Sequence, residues 1–279
     1  YVMEYATNIQ LLLAQRGSRL RDKVMTGSHV GKQASPVDQF GVIEMQAVTG
    51  RFSAMSRVDA PTDRRWVFPS DWDLPQLLDS FDQLRLLTDP KSSYVQNAVQ
   101  AAGRQFDRLI IDAFFDAANT GEAGATSTAH GAGQVVAVDQ GASAASGMTV
   151  AKLREAKKLL MAADVDIDND PLYVGVTAKQ HDDLLAQAQV VSTDFNDRPV
   201  LVNGRVTQFM GFQIVHSELF ETDSNSYREC PAWAKSGMYL GTWNDITTDI
   251  SQRKDIQGLP YQASVYDRWC NQTRRREGC

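Results

Sequence analysis

An α+β fold organised around one long helix is what this sequence predicts, and three observations predict it. The stretch from Asp89 to about Gly121 carries a clean helical stripe of apolar residues. The stretch from Val37 to Phe68 alternates without helical period, and the chain beyond Phe195 turns largely to strands. The order of parts is therefore an arm, a long hairpin, a spine helix, an α/β segment and a set of return strands.

The chain has 279 residues, enough for one large domain or two modest ones with a real core. Its net charge of −6 argues against a protein that wraps nucleic acid tightly, yet suits a container whose wall must not trap its contents. Cys230, Cys270 and Cys279 are odd in number and lack the close pairing of a zinc or redox motif, so reduced thiols in a cytosolic protein are expected. No run approaches the ~20 apolar residues of a membrane span, and the start lacks a signal-peptide layout, so a soluble protein is expected.

Taken in order, residues 1–36 form the arm. A short apolar stretch from Ile9 to Leu13 precedes Arg16, Arg19, Arg21 and Lys23, interleaved with Gly17, Ser18 and Asp22. A basic arm can touch DNA; lying on a neighbouring subunit or on its own core is the favoured reading. Residues 37–75 are expected to be an extended hairpin. Val37, Phe40, Val42, Met45, Val48, Phe52, Met55 and Val58 cannot build a core by themselves, and Gly41, Gly50 and Pro61 punctuate them. Phe52, Met55 and Val58 are the expected apolar anchors of an intersubunit contact. Arg57, Arg64 and Arg65 are expected to meet acidic patches next door, and Arg16 and Arg19 complete the expected interface set.

Asp89, Pro90 and Ser92 open the spine helix, expected over residues 92–119. Val95, Ala98, Val99, Ala102, Phe106, Leu109, Ile110, Ala113, Phe114 and Ala117 keep a three-then-four spacing on one face. About 27 residues at ~1.5 Å each give a rod of ~40 Å. Gly121 to Gly147 is loop, with Val135, Val136 and Val138 offering a short strand. Its glycines fit neither phosphate-binding fingerprint.

The pattern then becomes α/β. Thr149 caps a helix carrying Val150, Leu153, Ala156 and Leu160 on one face, with a surface pair between Glu155 and Lys158. Leu172 to Val176 is a strand, and Thr177 with Gln180 has capping-box spacing for a helix through Leu184 and Leu185. Strands follow at Arg205 to Val215, Ala232 to Leu240, Ile246 to Ile250 and Tyr261 to Trp269.

Nothing in this pattern predicts catalysis, a cofactor or a metal centre. Asp164, Asp166, Asp168, Asn169 and Asp170 invite a calcium reading, but Asn169 stands at the turn glycine's place and Gly175 at that of the closing Glu. A solvated loop is expected there. His29, His130, His181 and His216 are scattered, and His181 reads as a surface imidazole beside Asp182 and Asp183. Cys230 has no histidine nearby, and Arg274, Arg275 and Arg276 read as a solvated tail or a subunit contact.

Four stretches carry a resemblance: Gln15-Arg16-Gly17-Ser18-Arg19-Leu20-Arg21, residues Thr149 to Lys157, Leu184-Leu185 with Thr193-Asp194-Phe195-Asn196, and Ala232-Trp233-Ala234-Lys235-Ser236-Gly237. In this order and spacing the chain resembles the tailed-bacteriophage major capsid proteins, the family with the Hong Kong 97-type fold. The resemblance implies an arm over 1–36, an extended loop over 37–75, and a peripheral domain over 76–144 holding the spine helix. It further implies an axial domain over 145–240 and return strands over 241–279 that rejoin the peripheral domain. Implied too are pentamers and hexamers forming an icosahedral shell around double-stranded DNA in the virion, assembled in the host bacterial cytoplasm. Portal, scaffold and cement or decoration proteins are the implied partners, with contact to DNA non-specific and no membrane. The lysine-to-asparagine crosslink of some members cannot be assigned to Lys32, Lys91 or any other lysine. An encapsulin-like compartment shell is the alternative within the fold, and a soluble enzyme or ligand-binding domain the alternative outside it.

Overall fold

The computed structural model describes residues 17–31, 35–41, 43–47, 50, 57–78, 90–129, 131–191, 201–202, 204–244, 247–252 and 261–273. Its longest element is the spine helix Pro90–Phe115, whose 26 residues span ~40 Å. Ala98, Phe106, Ile110 and Phe114 of the expected stripe are buried, Ile111 joins them, and Val99, expected on the same face, is exposed.

The helix stops four residues before its expected end at 119. Ala118–Thr120 is instead a short strand, antiparallel to Thr126–Thr128, and Thr120 also pairs with Arg65 of another strand. Gly121 (φ 89°) and Gly124 (φ 73°) supply the left-handed backbone that turns the chain between the two. Sheet bonds thus capture backbone groups that a continuing helix would have used. The expected strand at Val135, Val136 and Val138 does not form; a 3-10 turn, Ala132–Gln134, precedes it, and Val135 is exposed.

Among the described residues the strands form three larger sheets and one small pair, Leu201–Val202 with Arg205–Val206. In the first, Ser35–Phe40 and Thr62–Val67 make an antiparallel hairpin, joined at its root by the two short strands after the spine. In the second, Met25–Ser28 runs parallel to Met238–Thr242, and the 13-residue strand Tyr261–Thr273 pairs with Met238–Thr242, Thr247–Gln252 and Ser70–Leu78. Residues 70–75, assigned by sequence to the end of the extended loop, therefore pair with a return strand. The third sheet is centred on Leu172–Val176, parallel to Phe212–His216 and antiparallel to Ala232–Ala234.

Two strands expected as continuous are broken. Met210 (φ 53°) and Gly211 (φ 87°) turn the chain between Gln208–Phe209 and Phe212–His216, so residues 205–215 fold back on themselves. The 3-10 turn Lys235–Gly237 redirects residues 232–240 so that Ala232–Ala234 stays in the third sheet while Met238–Thr242 enters the second. The break lets one segment bond to two different sheets.

The helices of the α/β segment follow their local signals. Val150–Ala162 is capped by the Thr149 hydroxyl, which accepts from the Lys152 N–H at 3.4 Å, and Ala178–Leu185 opens with the Thr177/Gln180 capping box. Glu155 and Lys158 pair at 2.9 Å.

Two apolar clusters share the strand Leu172–Val176. Leu172, Val174 and Val176 point into one, with Leu153, Leu160, Leu184 and Phe212. Tyr173 points into the other, with Leu20, Val24, Phe106, Ile110, Phe114, Phe220, Trp233, Met238 and Leu240. Both faces are covered, which is why the strand reads as an unbroken apolar run. Gly175 is required here, since a Cβ would lie 2.3 Å from the Phe220 ring. Trp233 is the keystone of this cluster: its ring sits 4.6 Å from Phe114 and 5.7 Å from Tyr173, and its indole N–H donates to the Lys23 carbonyl at 3.0 Å. Trp233→Ala is expected to cost about 3–5 kcal/mol in chemical denaturation, and a loss below 1 kcal/mol would contradict this placement.

Candidate assembly surface

Where the arm meets the spine, a buried carboxylate does the fastening. Asp107 is fully buried on the spine helix. It accepts from the Ser18 hydroxyl at 2.5 Å and from the N–H groups of Arg19 and Leu20 at 2.9 and 3.0 Å. The Arg21 N–H donates in turn to Ser18 Oγ at 3.0 Å. Gly103, a turn earlier, lets the backbones touch: a Cβ there would stand 2.6 Å from Gly17 Cα. Leu20 then drops into the core, and the Arg21 guanidinium lies 4.5 Å above the Phe106 ring. Residues 17–31 thus lie on the subunit's own body. Sequence offered one signal for Asp107, an acid set between Phe106 and Leu109 beside the helix's apolar face.

Arg19, expected at a subunit interface, is engaged at home. Its Nη1 donates to the His216 carbonyl at 2.7 Å and lies 3.0 Å from His216 Nδ1. His216 Nε2 is 2.9 Å from Glu218 Oε1, which also accepts from the Ala178 N–H at 2.7 Å. The arm is thereby linked to the start of the helix Ala178–Leu185. Arg16 lies outside the described residues.

The hairpin is fixed at its root. Asp38 and Arg64 stand opposite each other and form an ion pair of 2.7 Å, and the Trp66 indole N–H donates to the Gly121 carbonyl at 2.7 Å. Gly124 sits beneath Trp66 and Phe68, where a Cβ would approach the Trp66 ring to 2.8 Å. Arg65, expected to reach an acidic patch next door, is only 8% exposed and holds Asp63 at 3.1 Å. Its place is set by strand alternation, which turns it with Val67 to the covered face while Arg64 faces solvent. Beyond the root the cover ends. Phe40, Ile43, Met45 and Val58 are exposed by 70, 55, 102 and 43%. Arg57 is exposed as well and pairs with the exposed Asp59 at 2.7 Å, a contact worth little by itself. Phe52 and Met55 lie outside the described residues. Of the expected interface set, Arg64 and Arg65 lie on the hairpin strand Thr62–Val67, Arg57 and Val58 lie in exposed chain just before it, and Arg19 lies in the arm against His216.

Groups that could have carried chemistry are used structurally. Burial, ahead of the field of Arg228 and Lys152, sets the Cys230 thiol, which is pushed up to about 12 and so stays protonated. His181 is not the surface imidazole expected: its Nε2 accepts from the Val206 N–H at 3.1 Å, and burial holds its pKa below the ordinary value. Asp166 accepts from the N–H groups of Asp168 and Asn169 at 3.2 Å each and from Asn169 Nδ2 at 2.8 Å, closing its loop. Asp170 accepts from the Ser236 N–H at 3.0 Å. Among the described residues no group of three His, Cys, Asp or Glu is placed to hold a metal ion. No described helix is long and apolar enough to cross a membrane. Arg274, Arg275, Arg276 and His130 lie outside the described residues.

The described residues thus form an α+β body with a spine helix, an arm segment laid on it and an exposed apolar hairpin. The sequence profile of the phage capsid protein family matches residues 1–264, and the chain belongs to that family. No curated protein matches the sequence significantly. Among solved structures the chain is similar to a chain of the cyanophage Pam1 capsid asymmetric unit, with a TM-score of 0.69, 13% identity and coverage of 100% of this chain and 96% of that one. It is likewise similar to a chain of Mycobacterium phage Che8, with a TM-score of 0.68, 12% identity and coverage of 100% and 95%. The capsid structure of cyanophage P-SCSP1u gives a TM-score of 0.68, 14% identity and coverage of 99% and 91%. The fold is the α+β capsid fold, of the Hong Kong 97 type that the resemblance implied, and the protein is a structural component of a phage head.

The arm's attachment makes a direct prediction. Asp107→Ala leaves the Arg19 and Leu20 N–H groups without their acceptor and is expected to cost roughly 2–4 kcal/mol. Brief trypsin treatment should then cut at Arg19, Arg21 and Lys23 well before the body is degraded, whereas the wild-type chain resists there.

Proposed function

We propose that this chain assembles into pentamers and hexamers that close an icosahedral phage head around double-stranded DNA. The observation that carries this reading is the hairpin, which is bonded to the body at its root and bare of apolar cover at Phe40, Ile43, Met45 and Val58. Apolar surface in water is unfavourable by about 25 cal/mol per Å², so these side chains favour a partner. A contact of this kind with another copy is heterologous, because the hairpin of one subunit meets a different surface of the next, and such contacts build rings and lattices. Repeated around every subunit, weak contacts sum to a stable shell.

In this reading residues 1–36 and 37–75 are the arm and extended loop that join subunits, with Arg57, Arg64 and Val58 at the contact. Residues 76–144 form the peripheral domain, 145–240 the axial domain, and 241–279 return to the peripheral domain. The net charge of −6 suits a wall that does not trap its cargo, with DNA touched non-specifically. Assembly would take place in the host cytoplasm with portal and scaffold proteins, and cement proteins could brace the finished shell. The role is structural rather than catalytic.

Electron microscopy of the purified protein tests this, with closed shells expected and a compact monomer of ~31 kDa contrary to it. Val58→Asp should reduce particle yield at least tenfold while leaving the melting temperature of unassembled subunits within about 2 °C of wild type, because surface substitutions away from buried features rarely exceed ~0.5 kcal/mol. An equal loss in both measurements would place Val58 in the subunit's own stability instead.

A further inference from the structure

Three buried side-chain polar atoms among the described residues lack a hydrogen-bond partner: Arg65 Nε, Gln100 Oε1 and Trp243 Nε1. All three lie at joints between the body and its extensions. Arg65 is in the root of the hairpin, opposite Thr120 of the strand that follows the spine. Gln100 Oε1 lies 3.9 Å from where a Cβ of Gly17 would stand, at the point where the arm reaches the spine. Trp243 stacks on His29 with ring centroids 4.9 Å apart, just beyond the arm strand Met25–Ser28.

Buried donors are almost always paired in native structures, and an unpaired one destabilises the state that contains it. Arg65 is the most consequential of the three, since its cation is nearly enclosed and, among the described residues, Asp63 is the acid that pairs with it, at 3.1 Å from Nη2. We propose that the unpaired Arg65 Nε–H is a built-in bias toward assembly. The free subunit holds the hairpin root one hydrogen bond short, and docking of the hairpin onto a second copy of this chain re-seats the root so that Nε–H meets an oxygen acceptor. The gain exists only in the docked arrangement, so it shifts the equilibrium toward it; a group equally satisfied in both states would shift nothing. The inference rests on the shell reading above and adds to it where the bias toward assembly resides.

Arg65→Lys tests it sharply, because lysine keeps a cation for Asp63 and places a methylene where the Nε–H was. Unassembled subunits, isolated by size exclusion, should melt about 2–4 °C higher than wild type, and shells followed by light scattering should form several-fold more slowly. Arg65→Met should show the same two changes, and Trp243→Phe, which deletes the indole N–H but keeps an aromatic ring, should raise the subunit's melting temperature independently. An Arg65→Lys subunit that melts at or below the wild-type temperature overturns the proposal, and so does one that melts higher yet assembles at the wild-type rate. If the wild-type chain forms no particles, the shell reading fails first and this inference falls with it.

Discussion

A carboxylate buried on the inner side of a long helix is expensive unless donors surround it, and that constraint organises this subunit. Asp107 meets it with a hydroxyl and two backbone N–H groups drawn from Ser18, Arg19 and Leu20. A chain lying flat on the spine presents three donors in succession, and Gly103 lets the two backbones come so close, since a Cβ there would stand 2.6 Å from Gly17, whose own backbone is left-handed (φ 66°). Once residues 17–20 are pinned, the rest of the arm has little freedom. Leu20 and Val24 enter the core, the Lys23 carbonyl meets the Trp233 indole, and Met25–Ser28 falls alongside Met238–Thr242. The carboxylate therefore sets the register between the arm, the spine and a strand more than two hundred residues away.

The same constraint contrasts the anchored body, where the Asp107 carboxylate is answered within the chain, with the hairpin, whose apolar surface is left uncovered. Within the body, Arg19, His216, Glu218 and the N-terminus of Ala178–Leu185 form a continuous polar chain from the arm to the second core. In the hairpin, Arg64 with Asp38 and Trp66 with Gly121 hold the root, and past them the apolar side chains face solvent. A subunit that must fold alone yet act only in company needs both characters in one chain. It also explains how the architecture persists at 12–14% identity with other phage capsid chains. A helical stripe, a covered strand and a hairpin can be satisfied by many side-chain combinations of similar volume and pattern.

What could be read from the sequence was local. The spine stripe, the Thr149 and Thr177 caps, the strand Leu172–Val176 and the uncovered hairpin each announce themselves within a few turns of chain, because periodicity and capping depend on near neighbours. The resemblance to capsid proteins likewise lay in short stretches in fixed order, and one of them, Gly17-Ser18-Arg19-Leu20-Arg21, proved to be the segment Asp107 holds.

What only the tertiary structure decided was where the chain bonds to something distant. The spine's early end at Phe115, the turns at Met210-Gly211 and Lys235–Gly237, the burial of Arg65 and the arm's attachment to its own spine all depend on partners tens or hundreds of residues away. Amino-acid pattern determines which segments want to be helix, strand or solvent-facing. It does not determine which of several eligible backbones will supply a strand's hydrogen bonds or a carboxylate's donors, because that choice is made by the three-dimensional competition for a limited number of buried partners.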